Sequence, residues 1–120
     1  DNLGIPKNEE FPLDGNPVDE GLGTIFGDPN QSGKFKVMTL RNVQLTGPYG
    51  HNGLFKGLKE IIHFYNTRDV PGSLPQGQSW FAPEYRPNMN TVELGNLGLS
   101  DDDEDAIVAF MKTLTDGWAQ

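Results

Sequence analysis

Hydrophobic residues follow a helical period in only two stretches of this chain. In the first, over residues 57–66, apolar side chains recur at i, i+3, i+4 and i+7, namely at Leu58, Ile61, Ile62 and Tyr65. This spacing predicts a short helix with those four side chains on one face, and it places Lys59, His63 and Asn66 on another. We expect the helix to end before Pro71 and Gly72.

The second helical pattern begins at Ser100. Asp103 follows three residues later, which predicts a capping box with Asp in place of Glu or Gln. The acidic run 101–105 would occupy the positive end of the helix dipole, and it lacks the ligand spacing of a calcium-binding EF-hand loop. The buried stripe should comprise Ile107, Val108, Met111 and Leu114, with Phe110 beside it. Gly117 is the expected end of the helix.

The rest of the sequence is interrupted by glycine and proline. Residues 1–33 contain ten of them, so we expect ordered coil. Its apolar anchors would be Leu3, Ile5, Phe11, Leu22 and Phe26. The long loop 67–92 carries the aromatic residues Trp80, Phe81 and Tyr85, and their number suggests packing against the core. The expected fold class is therefore mainly α with extensive coil, in a single domain spanning residues 1–120.

Composition limits the possible functions. Only 35% of the 120 residues are hydrophobic, so a buried cofactor or another segment would help to close the core. No apolar run approaches the roughly 20 residues of a membrane span, and no signal peptide opens the sequence. We therefore expect no membrane span, in a chain that is either mature or cut from something longer.

Charge is unevenly distributed along the chain. The net charge of −8 argues against nucleic acid as a partner. Acidic residues dominate both ends, whereas residues 34–68 hold six bases and one acid. A basic middle suits an anionic ligand, although a solvated surface is the more common reason for such a pattern. The absence of cysteine excludes disulfides and thiolate metal ligands on these residues.

The longest motif runs from Phe35 to Gly53 and reads F-K-x-x-T-L-R-N-V-x-L-T-x-P-Y-x-H-N-G; the helix after it ends F-Y-N. This pattern resembles the C-terminal haem domain of the bacterial dihaem cytochrome c peroxidase family, particularly its MauG-like branch. The terminal helix, preceded by L-G-L-S, also matches. Together the similar regions cover roughly residues 18–66 and 94–115.

The resemblance implies the C-terminal portion of a cytochrome c-like domain. It also implies a haem-dependent oxidoreductase of the peroxidase type, in which peroxide-linked oxidation accompanies electron transfer between haems. The family's Cys-x-x-Cys-His motif is absent here. Haem c and its proximal histidine would therefore need an upstream haem-carrying segment or an N-terminal haem domain. A separate redox partner protein and a periplasmic location are also implied.

Tyr65 is the residue to which the resemblance assigns the chemistry. It stands where the family carries the distal axial ligand of the C-terminal haem, which is Met in the peroxidases and Tyr in the MauG-like branch. A phenolate stabilises higher oxidation states of iron, whereas a thioether raises the potential. From periodicity alone, Tyr65 would instead be a core tyrosine whose hydroxyl finds a partner.

Four further residues receive roles from the same resemblance. Arg41 would pair with a haem propionate, or else bond loop carbonyls. His51 would belong to the haem surroundings, or be an ordinary hydrogen-bonded loop histidine. The carbonyl oxygens of Thr46 and Pro48 would bind calcium between two haem domains, or simply form a turn. His63, which points away from Tyr65, is expected at the surface.

Two other functions remain open on the sequence. A pure electron-transfer cytochrome would have six-coordinate haems that do not react with peroxide. A haem-free binding module would explain the missing cysteines directly, and it would use the aromatic residues within 80–85 to contact a partner.

Overall fold

The computed structural model describes residues 1–8, 18, 20–23 and 27–115. Its complete α-helices in these ranges are α1 (Leu58–Thr67) and α2 (Asp101–Lys112). Short 3₁₀ helices lie at Pro29–Gln31, Val43–Leu45 and Pro75–Gly77. The described residues form no β-strand, only isolated bridges that pair Gly21 with Lys34 and Tyr49 with Phe55. The expected class, mainly α with extensive coil, is confirmed.

Helix α1 packs between two apolar clusters. The first contains the buried residues Ile5, Phe55, Phe64 and Leu94. The second contains Val43, Leu58 and Met111. Because α1 contributes Phe64 to one cluster and Leu58 to the other, it connects the two halves of the core. The helix lies within one residue of its predicted bounds at each end.

The two-sided packing explains why the predicted single apolar face of α1 was incomplete. Phe64 has no exposed surface, and Asn66 is also buried, yet neither belonged to the predicted face. Ile61 and Tyr65 pack against the first cluster, whereas Ile62 packs against the second. A period of 3.6 residues identifies one buried face, and a helix enclosed on two sides departs from that pattern.

Helix α2 begins as its sequence predicts. The Ser100 hydroxyl accepts a hydrogen bond from the Asp103 backbone N–H, and the Asp103 carboxylate accepts one from the Ser100 N–H, each at 3.1 Å. On its apolar side, Met111 is buried, and Ile107 and Val108 pack against the second cluster. The capping box and this part of the stripe are confirmed.

The end of α2 differs from its prediction. The helix stops at Lys112, and Gly117 lies outside the described residues. The Leu114 N–H turns back to the Met111 carbonyl, and the Leu114 carbonyl accepts a hydrogen bond of 2.9 Å from Asn42 N–H. The chain thus leaves the helix to pair with the loop before Val43–Leu45.

Coil at the amino terminus is anchored by Arg68. Its guanidinium donates to the Leu3 carbonyl at 2.8 Å and to both carboxylate oxygens of Asp69 at 2.9 and 2.7 Å. The hydrogen bond from Arg68 lowers the pKa of Asp69 below its usual value. Ile5 is buried in the first cluster and Leu3 packs on it, as expected. The predicted anchors Phe11 and Phe26 lie outside the described residues.

Only part of the aromatic loop 67–92 packs as expected. The Trp80 ring lies edge-on to Phe55 and Phe64, at centroid distances of 5.9 and 5.3 Å, and its Nε1 donates to the Thr67 hydroxyl at 3.0 Å. Phe81, by contrast, is 84% exposed, so its predicted packing was wrong. Neither helix of the described chain has the length and apolar content needed to cross a membrane.

The second cluster makes Met111 a test of the α2 packing. Met111→Ala should lower the free energy of unfolding by about 2–5 kcal/mol, because it leaves a cavity beneath the helix. Its neighbour Phe110 is 58% exposed, so Phe110→Ala should change that free energy by about 0.5 kcal/mol or less. Urea denaturation of both variants measures the difference. Equal losses would mean that α2 is packed the other way round.

Candidate functional site around Tyr65

Tyr65 has a packed ring and a hydroxyl group without a hydrogen-bond partner among the described residues. The ring lies on the last turns of α1 and packs against the first cluster. Its hydroxyl has no hydrogen-bond partner among the described residues. Every fully buried side-chain nitrogen or oxygen atom of these residues, by contrast, has a partner. The Tyr65 oxygen therefore reaches the surface of the described chain.

Burial also affects the acidity of this phenol. Desolvation by the surrounding apolar side chains raises the pKa of Tyr65 above its usual value. A free phenolate is consequently disfavoured at this position. A cation bonded directly to the oxygen would reverse that preference, because metal ions deprotonate the groups that they bind.

The backbone around Tyr65 is held by the segment that precedes α2. The Tyr65 carbonyl accepts a hydrogen bond of 2.7 Å from Gly95 N–H, and Asp69 N–H donates to the Gly95 carbonyl at 2.8 Å. Gly95 has a φ of +108°, and a Cβ there would overlap the side chains of Asp69 and Arg68. Only glycine allows so close an approach to the end of α1.

His63, expected at the surface, is partly exposed, with 29% of its side chain accessible, but both of its ring nitrogens have partners. Its Nδ1 lies 3.0 and 2.9 Å from the two Glu104 carboxylate oxygens, and its Nε2 lies 2.9 Å from the Ser73 carbonyl oxygen. Burial on its own lowers the pKa of His63, but the hydrogen bonds to Glu104 and Ser73 outweigh this effect and raise the pKa. The imidazole thus bridges α2 and the loop after α1.

Glu104 is the centre of this polar cluster and is only 2% exposed. Besides His63, its carboxylate accepts a hydrogen bond of 2.5 Å from the buried Asn66 amide. Lys59 Nζ lies 3.8 Å from the same carboxylate. The Asn66 amide also donates to the Leu99 carbonyl at 2.9 Å and accepts from the Leu99 N–H at 3.0 Å. One buried carboxylate therefore joins both helices.

The role of Glu104 was missed in the sequence because it lies within an acidic run. A signal was nevertheless present. Glu104, Ile107, Val108 and Met111 follow the spacing i, i+3, i+4 and i+7, which places the carboxylate on the buried face of α2. The exposed acids of that turn behave as expected, since Lys59 Nζ donates to Asp101 at 2.8 Å and to Asp105 at 2.5 Å.

The three acids Asp101, Asp102 and Asp105 are the one group of His, Cys, Asp or Glu side chains in the described residues that is spaced to hold a metal. All three are exposed, and two of them already bind the Lys59 ammonium. Helix capping and this ion pair account for the cluster.

His51 and Arg41 lie apart from Tyr65. The His51 ring stacks on Phe35 with centroids 3.8 Å apart and planes 12° from parallel, and its Nε2 lies 3.8 Å from a Glu84 carboxylate oxygen. Arg41 is exposed, and its backbone N–H donates to the Thr39 hydroxyl at 3.2 Å. Within the described residues neither side chain has a hydrogen bond or ring contact with Tyr65.

Thr46 and Pro48 present backbone carbonyls at the surface. Both residues are exposed, and neither carbonyl accepts a hydrogen bond from another described residue. The Thr46 hydroxyl donates to the Val43 carbonyl at 3.2 Å, and the Tyr49 hydroxyl donates to the same carbonyl at 2.7 Å. These bonds fix the turn while leaving both carbonyl oxygens available to a cation.

The arrangement of α1, α2 and the intervening coil matches a known cytochrome c-like fold. The structure resembles the crystal structure of a MauG-like protein associated with microbial copper homeostasis, with a TM-score of 0.60 and 28% identity. That similarity covers 98% of this chain and 30% of the other. No family model matches the chain.

Curated relatives point to the same group of proteins. Methylamine utilization protein MauG of Paracoccus denitrificans (strain Pd 1222) is 45% identical over 96% of this chain. Cytochrome-c peroxidase IdrP2 of Denitromonas iodatirespirans is 29% identical over 95%, and that of Pseudomonas sp. (strain SCT) is 34% identical over 81%. The chain spans 33%, 31% and 21% of their respective lengths.

The chain belongs to the family of MauG-like proteins and bacterial dihaem cytochrome c peroxidases. These relatives support a haem-dependent redox function for the family, with haem c as the expected cofactor. The fold expected from the motif, the C-terminal portion of a cytochrome c-like domain, is thereby confirmed.

Proposed function

We propose that this chain is the C-terminal haem domain of a MauG-like dihaem protein and that Tyr65 is the distal axial ligand of its haem. The observation that carries the proposal is the Tyr65 hydroxyl, which has no hydrogen-bond partner among the described residues although its ring is packed. A core tyrosine would normally bond its hydroxyl internally. The resemblance assigns the axial ligand to this same position.

The residues present fit a haem that is shared with other parts of the protein. Tyr65 offers an oxygen ligand, and the segment 37–45 exposes apolar side chains that a large ligand or neighbouring segment would cover, with Val37 77% exposed and Met38 65% exposed. Thioether attachment must come from outside these 120 residues, which contain no cysteine. The resemblance implies that the opposite axial ligand would be the histidine of that same attachment motif. When bound, the haem would supply iron-centred one-electron chemistry.

Tyr65 has two tasks in this proposal. It must lose its proton on binding ferric iron, since the raised pKa of Tyr65 keeps the unbound phenol neutral. As a phenolate ligand, Tyr65 would donate negative charge to the iron, which would lower the reduction potential and stabilise higher oxidation states.

Arg41 and His51 have supporting roles. Arg41, in the basic region 34–68, would pair with a haem propionate through its planar guanidinium. His51 would line the haem surroundings, held in place by its stacking on Phe35. Neither side chain is proposed to bind the iron.

The activity of the whole protein would be peroxide-linked oxidation with electron transfer between two haems. A redox partner protein would donate the electrons or accept them. A periplasmic location follows from the proposed haem c, whose thioether bonds are made outside the bacterial cytoplasm.

The alternative of pure electron transfer predicts a full-length protein that does not react with peroxide. Stopped-flow mixing with hydrogen peroxide distinguishes the two functions. The haem-free alternative predicts no Soret band.

Substitution of Tyr65 tests the ligand assignment in the full-length, haem-loaded protein. Tyr65→Phe should open a coordination position and convert low-spin ferric haem to high-spin haem. Tyr65→Met should keep six-coordination but raise the reduction potential, because a thioether favours ferrous iron. Visible spectra and potentiometric titration measure both effects.

Tyr85→Phe is the matched control, since Tyr85 is partly buried in the coil and has no role in haem binding in this proposal. It should leave spectra and potential unchanged. Wild-type ligation in both Tyr65 variants would return Tyr65 to a purely structural role.

Calcium binding is a further part of the proposal. The Thr46 and Pro48 carbonyl oxygens, which accept no hydrogen bond from the described residues, would hold the ion against a second haem domain, because oxygen ligands suit a hard cation. Chelation should change the haem spectra of the full-length protein. Calcium should restore them and magnesium should not, because magnesium demands a stricter octahedral geometry. Spectra that are insensitive to the chelator would contradict this assignment.

A further inference from the structure

We propose that Glu104 is a positioning residue for Tyr65, and that its buried carboxylate sets the ligand geometry by holding the last turns of α1; this inference rests on the proposed function. Glu104 lies on α2 and has no hydrogen bond or ion pair with Tyr65. Its effect passes through His63 and Asn66, the two residues of α1 that are hydrogen-bonded to its carboxylate.

The geometry of α1 makes this connection specific. His63 and Asn66 are three residues apart, so their side chains lie about 60° apart around the helix axis, on the face towards α2. Tyr65 lies about 160° from His63 and about 100° from Asn66. One carboxylate that is hydrogen-bonded to both His63 and Asn66 therefore fixes the rotation of the last turns of the helix. It thereby also fixes the direction in which Tyr65 projects.

Burial makes the hydrogen bonds of Glu104 to His63 and Asn66 persistent. Glu104 is 2% exposed and Asn66 is 3% exposed, so water cannot readily replace their hydrogen bonds. Removal of the carboxylate would leave the Asn66 amide with one partner fewer and the His63 Nδ1 without its partner. The freed side chains would then seek new bonds, and the end of α1 would turn or shift to allow them.

Other contacts of α1 limit that movement but do not prevent it. The Gly95 N–H still bonds the Tyr65 carbonyl at 2.7 Å, and Asn66 still exchanges two hydrogen bonds with the Leu99 backbone. Loss of Glu104 should therefore loosen the Tyr65 side chain within a folded domain. A small displacement is sufficient, because catalytic and metal-binding geometries tolerate errors of only about 0.5 Å.

The test uses Glu104→Ala and Glu104→Gln in the full-length, haem-loaded protein, with Asp102→Ala as the matched control. Asp102 lies on the same turn of α2 but is exposed. The measurements are the electron paramagnetic resonance spectrum of the ferric haem, the reduction potential and the thermal midpoint. Wild-type protein should give one tyrosine-ligated low-spin signal.

Glu104→Ala should split that signal into several low-spin species with a high-spin fraction, and it should raise the potential because the phenolate bond is weakened. Glu104→Gln should recover most of the single signal, since the amide keeps the volume and one acceptor oxygen. Asp102→Ala should match the wild type. If Glu104→Ala does not accumulate, His63→Gln should produce the same splitting, because it breaks the bridge at a partly exposed site.

A single wild-type signal in Glu104→Ala, or in His63→Gln where the former does not accumulate, would overturn the positioning role. A lowered thermal midpoint with an unchanged signal would also overturn it, since the carboxylate would then serve stability alone. Equal splitting in Asp102→Ala would show a general effect of α2 and contradict the inference. The proposed function fails separately, when Tyr65→Phe leaves the spectrum unchanged.

Discussion

The packing of α1 between two apolar clusters determines where every candidate side chain of this helix lies. Phe64 fills the first cluster and Leu58 the second, so a large shift or rotation of the whole helix would open a cavity in one of them. Tyr65 is left with its ring against the first cluster and its oxygen open. The same constraint directs Asn66 and His63 towards α2, where Glu104 meets them.

A buried carboxylate is a costly way to join two helices, and its partners show how the cost is limited. Taking a charge out of water is favourable only when hydrogen bonds and opposite charge replace the lost hydration. Glu104 has His63, with its pKa raised, and the Asn66 amide, and Lys59 lies nearby. Apolar residues of similar size could join the helices equally well. The polar solution instead fixes the direction of the side chains, which the proposed ligand role of Tyr65 would require.

Local signals in the sequence were enough to predict both helices, the capping box at Ser100 and the coil-rich class. Each depends on residues within one or two turns of each other, where periodicity and capping rules apply directly. The burial of Glu104, the bridge through His63 and the exposure of Phe81 depend on how distant segments meet. His63 looked peripheral because the prediction gave α1 a single buried face, whereas the structure covers it from two sides. The motif from Phe35 to Gly53 identified the family because its long, ordered pattern reflects a whole domain, whereas the helices alone indicated only a fold class.

A crystal structure of the full-length, haem-loaded protein would show directly whether Tyr65 binds iron, as we propose. We expect the Tyr65 oxygen at the distal coordination position of the C-terminal haem, with Glu104 still bridging His63 and Asn66. A different side chain or water at that position, with the Tyr65 hydroxyl bonded inside the protein, would contradict it.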